Sequence, residues 1–110
     1  MTFNSPKDAA RRLSCYLMYK NLIEFALPGS LPADEMTLRA EMFAIRRSVM
    51  CLPDSKEKFF LYNKYIRGET MESCAEILGI SRRSVFRLKQ KALDLYVLFA
   101  PDSAPVRVLS

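Results

Sequence analysis

Apolar positions recur along this chain at spacings of three and four, and no segment alternates as a half-buried strand does. Leu13, Tyr16, Leu17, Ile23 and Leu27 form one such series. Leu38, Met42, Ile45, Val49 and Leu52 form a second, continuous stripe. Pro, Gly and Ser stand between the series and cut the chain into five helical segments, so the pattern predicts an all-α, five-helix domain. The first segment opens at Asn4-Ser5-Pro6, a cap followed by a proline in the first turn, and runs to Leu27. The second covers about residues 33–51 and stops before Pro53. The third opens with Asp54 as the expected N-cap and Glu57 three residues on, and ends at Gly68. The fourth covers residues 70–78 and is closed by Gly79. The fifth starts on Ser81 as N-cap and runs through Phe99, before Pro101. Residues 102–110 read as a loose tail.

Half of the 110 residues are hydrophobic, enough for a real core and unlike the composition of a disordered chain. The apolar run at residues 95–100 is far short of the ~20 residues that span a bilayer. Arg11 and Arg12 precede an apolar stretch, but polar residues interrupt it and no small-residue cleavage site follows. The expectation is a cytoplasmic protein with no membrane partner.

Candidate chemistry is sparse. The chain has no histidine, which removes the commonest general base and metal ligand. Cys15, Cys51 and Cys74 are odd in number and far apart, a pattern that suits neither a disulfide framework nor a zinc site. The three glycines form no phosphate-cradling loop. We therefore expect no enzyme, no metal and no cofactor.

Charge changes the picture more. The net charge is +5, and it is uneven. Residues 1–53 hold seven Lys or Arg against five acids, residues 54–91 nine against five, and residues 92–110 one against two. Within residues 81–91 stand Arg82, Arg83, Arg87, Lys89 and Lys91 with no acid at all. A merely solvated helix face usually carries Glu for i,i+4 pairing. An all-basic face is what a phosphate-binding helix requires.

That stretch, TMESCAEILGISRRSVFRLKQKAL, also meets the demands of a helix-turn-helix from about Thr70 to Lys91. Ala75 is small where two helices cross, Gly79 tolerates the sharp turn, and Ile80 plugs the junction. Cys74, Leu78, Val85 and Leu88 fit the inward positions. Arg82, Arg83, Phe86, Arg87 and Gln90 fall outward. Arg82, Arg83 and Arg87 are candidates for bidentate contact with guanine, the alternative being phosphate contact alone. Ser81 caps the helix and can offer its N-terminus to a phosphate. Ser84 and Gln90 are candidate phosphate contacts or solvated residues. Lys89 and Lys91 read as phosphate contacts, and Lys64 and Arg67 as flanking clamps or plain surface charge. Phe86 either touches a thymine methyl or packs on the third helix, and the reading favours packing. Phe59, Tyr62, Tyr65 and Ile66 read as core rather than as stacking platforms for single strands.

The stretch from Leu52 to Leu95 resembles region 4 of sigma-70-type factors. It is more similar still to small region-4-like regulators of phages and mobile elements in Gram-positive bacteria. The resemblance rests on Leu52-Pro53, Tyr65-Ile66-Arg67-Gly68, Ala75, Leu78-Gly79-Ile80-Ser81, Ser84-Val85 and Ala92-Leu93. Cys74 departs from it, standing where such families carry a larger aliphatic residue, and no sigma region 2 pattern precedes Leu52. LuxR-type domains share the four-helix plan but carry a histidine that this chain lacks. The resemblance implies a sequence-specific transcriptional regulator whose partner is double-stranded DNA, with RNA polymerase as a possible second partner. The alternative is an interaction module that binds RNA polymerase or a sigma factor without reading DNA. Residues 52–100 then form the DNA-binding region. Residues 1–51 form a helical pair that either wraps it or builds a homodimer interface, with a slight preference for the dimer.

Overall fold

The computed structural model describes residues 5–25 and 34–99. Ser5 lies in extended backbone and its Oγ accepts the Asp8 amide, which together with Pro6 starts α1 (Pro6–Glu24). The segment expected to reach Leu27 is helical through Glu24, with Phe25 capping it, and residues 26–33 lie outside the described residues. The second segment forms α2 (Asp34–Met50). The third forms α3 (Lys56–Leu61), which continues into a single π turn at Tyr62–Ile66. Then follow α4 (Met71–Leu78) and α5 (Arg82–Phe99). The described residues thus form five helices and no strand. The tail at residues 102–110 lies outside the described residues.

The cap of α3 differs from the expectation. Ser55, not Asp54, stands in extended backbone and accepts the Lys58 amide at 3.2 Å. Asp54 is one residue too early for that bond and instead pairs with Lys58 Nζ at 3.0 Å. The exit from α3 is also unexpected. Asn63, only 2% exposed, donates from Nδ2 to the Phe59 carbonyl and accepts from Arg67 at Oδ1. Its own carbonyl accepts the Glu69 amide. The Asn63 side chain thus bridges the Phe59 carbonyl before the wider turn and Arg67 after it.

One core joins all five helices. Ala9 and Leu13 of α1, Ile45 and Val49 of α2, Phe60 and Leu61 of α3, Cys74 and Ala75 of α4, and Val85, Leu88, Ala92, Leu93 and Tyr96 of α5 are all buried in it. Tyr65 and Ile66 of the π turn belong to it as well, and Tyr62 packs against it. Phe59 does not. It remains 46% exposed while its neighbour Phe60 is fully buried, because the helix turns position 60 inward. The N-terminal pair wraps the rest of the chain: α1 packs on α2, on α5 and on the π turn.

Two polar contacts fix the pair. Arg12 and Glu41 form an ion pair at 2.6 Å between α1 and α2, with side chains 17% and 15% exposed. Ser48 of α2 donates to the Ile45 carbonyl at 2.6 Å and meets the Tyr96 hydroxyl of α5 at 2.6 Å. Burial pushes the Tyr96 phenol above its ordinary range, against smaller opposing effects of Ser48 and Arg12. Among the described residues no buried side-chain nitrogen or oxygen lacks a partner, and no helix is long and apolar enough to cross a membrane.

Candidate nucleic-acid interface

The turn between α4 and α5 is built from local chemistry. Thr70 caps α4 by accepting the Ser73 amide at 3.0 Å. At its other end Gly79 adopts φ +68°, the left-handed conformation that a side chain disfavours. The Gly79 amide reaches the Glu76 carbonyl and the Ile80 amide the Ala75 carbonyl, the paired bonds of a Schellman stop. Ile80 packs against the core beside the buried Ala75, as a junction plug should. Two residues later α5 begins, with Ser81 Oγ accepting the Ser84 amide at 3.1 Å.

Cys74, Ala75, Val85 and Leu88 are buried, with Leu78 packed against them. Their burial fixes the rotation of α5 about its axis. Arg82, Arg83, Phe86, Arg87 and Gln90 then emerge together on one open face of the helix. All five are exposed, and none of the three arginines makes an ion pair among the described residues. Guanidinium groups so placed keep their planar donor forks free for an external acceptor.

The other expected contacts divide. Ser84, Arg87 and Lys91 line a cleft on the flank of α5. Lys89 is half-buried and belongs to neither the face nor the cleft. Lys64 lies over the Tyr65 ring at 5.5 Å from its centroid. Arg67 is held by Asn63 Oδ1 at 3.1 Å and by Glu69 at 3.4 Å. Lys64 and Arg67 also belong to neither. Phe86 reverses the expected packing on the third helix. It is 48% exposed, it is not among the hydrophobics packed on the core, and it lies on the open face with the arginines.

Lys56 was not legible as part of this surface. It joins the cleft from α3, and only tertiary packing brings it there. The three cysteines are free thiols, and burial pushes the Cys74 thiol up, away from thiolate chemistry. Compared with protein-family models, curated proteins and solved structures, the chain matches none.

Proposed function

We propose that this chain binds duplex DNA sequence-specifically, as a transcriptional regulator that inserts α5 into the major groove through a region-4-like helix-turn-helix. The observation that carries the reading is the clustering of Arg82, Arg83, Arg87, Gln90 and Phe86 on one open helix face without acids. Arg pairs bidentately with guanine, Gln with adenine, and an apolar ring meets the thymine methyl. One face thus holds donors for two bases and an apolar contact for a third. Specificity comes from these side chains and affinity from neutralised phosphates.

A second reading draws on the same residues. Arg and half-exposed aromatics are also the chemistry of protein hot spots, so the face suits an interaction module that docks on RNA polymerase or a sigma factor. Salt separates the two. DNA affinity falls steeply with salt, by about 0.9 in log–log slope per phosphate contacted. An interface centred on Phe86 responds weakly.

The test is anisotropy titration of a random duplex pool at two salt concentrations, with wild type beside Arg82→Ala/Arg83→Ala/Arg87→Ala. The expected result is salt-sensitive binding that the triple variant loses. At a selected site each arginine that reads a base contributes about 1–3 kcal/mol. Folded wild type that binds no duplex even at low salt sinks the DNA reading and leaves the protein-docking one.

A further inference from the structure

The cleft, of about 420 Å³, opens between the first turn of α3 and the flank of α5. Lys56 and Glu57 line it from α3, Ser84, Arg87 and Lys91 from α5, and Ile80 and Leu88 form its apolar floor. Three cations and one acid share this space, yet none of the four makes an ion pair among the described residues. Ser81 Oγ donates to Ser84 Oγ at 2.9 Å, so one lone pair of Ser84 is taken. The Ser84 hydroxyl proton has no acceptor among the described bonds and is available to a ligand. A hydroxyl donor with three cations is a donor set for phosphate oxygens.

Position adds a second argument. Arg87 belongs to both the arginine face and the cleft and so forms the ridge between them. A duplex that presents base edges to the arginine face must run a sugar–phosphate strand along one flank of α5.

We infer that this cleft seats a backbone phosphate of the same duplex, with Lys56 and Lys91 as its cationic walls and the Ser84 hydroxyl as its neutral donor. The inference rests on the DNA reading and adds to it a contact from α3, well before the helix-turn-helix in the chain. Lys56 ties α3 to the strand and so sets the angle at which α5 enters the groove, since phosphate contacts position while base contacts specify. Glu57 opposes the phosphate, and its charge lowers the affinity the cleft can reach.

Anisotropy titrations over a salt series test this with wild type, Lys56→Ala and Glu57→Gln, and with Lys20→Ala on α1 as a control for net charge. The duplexes are a random pool and a site selected from it. Lys56→Ala should flatten the log–log salt slope by about 1 and weaken binding to every duplex roughly three- to tenfold. Glu57→Gln should tighten binding to every duplex, and Lys20→Ala should match wild type. Thermal melts should be unchanged for all three, since none of these side chains is in the core. Wild type that binds with Lys56→Ala indistinguishable from it overturns the cleft but spares the DNA reading. A Lys56→Ala loss confined to particular sequences overturns the phosphate role in favour of a base contact. Wild type that binds no duplex overturns both.

Discussion

The two halves of α5 have different surroundings. Residues 92–99 bury Ala92, Leu93 and Tyr96, and Tyr96 reaches across to Ser48 of α2. Residues 82–91 bury only Val85 and Leu88 and leave five Arg or Lys without an ion pair among the described residues. One helix, about 27 Å long, is thus anchored at one end and charged at the other. The exposed cations of the charged half add little stability, and the helix is held by Val85 and Leu88 together with the buried residues of the other half. The N-terminal pair supplies part of that grip, which gives α1 and α2 a role within one chain. The outer side chains Met18, Leu22, Phe43 and Phe25 stay exposed on that pair.

The largest effect should come from the anchored half. Tyr96→Ala removes a fully buried ring and should cost about 3–5 kcal/mol in urea unfolding. Tyr96→Phe keeps the ring and loses the hydroxyl contact, so about 1 kcal/mol is expected. Replacing Arg82, Arg83 and Arg87 by Ala in the charged half should change stability by no more than about 0.5 kcal/mol while binding is lost. A triple variant that unfolds as readily as Tyr96→Ala would erase the distinction between the halves.

Next comes the ion pair that holds α1 to α2. Glu41→Ala leaves the Arg12 guanidinium only 17% exposed and unpaired, and should cost about 2 kcal/mol. The double variant Arg12→Met/Glu41→Leu should recover most of that loss, because the cost lies in the stranded charge. If the pair only steadies the anchor, the double variant should bind duplexes as wild type does. Weak binding by a stable double variant would mean that the pair tunes the charged half more directly.

Much of this arrangement was legible because it is local. Ser5-Pro6, Gly79 and Ser81 act through bonds to residues within five positions, and each does in the structure what its chemistry predicts. Of the second stripe Ile45, Val49 and Leu52 are buried, while Leu38 and Met42 are only partly covered. Sequence and structure part where two neighbours compete or where distant segments meet. Asp54 and Ser55 are both good caps, and only backbone geometry decides for Ser55. Phe59 and Phe60 are equally apolar, and the rotation of α3 decides which one is buried. The π turn has no periodicity of its own to reveal it. Lys56 reaches the flank of α5 only through the packing of α3 on α5. Periodicity sets the outward position of Phe86, but its surroundings depend on what the neighbouring helix leaves uncovered.

The smallest effects should separate two glycines that share a conformation. Gly68 has φ +78° and Gly79 φ +68°. A Cβ at Gly68 meets Leu17 Cδ1 of α1 at 3.2 Å, while one at Gly79 meets nothing within 4 Å. Gly68→Ala therefore carries both the left-handed penalty and a displaced Leu17, and should cost about 2 kcal/mol. Gly79→Ala carries the backbone penalty alone, about 1 kcal/mol. Gly79→Asn should cost less than Gly79→Ala, because Asn tolerates this conformation. The difference has a structural meaning. Gly68 sits where the N-terminal pair touches the segment that enters α4, whereas Gly79 sits at an open turn. Thermal melts of the three variants measure it. Equal losses at the two sites would show that α1 yields freely at Leu17, and that the N-terminal pair grips the rest of the chain less tightly than its burial implies.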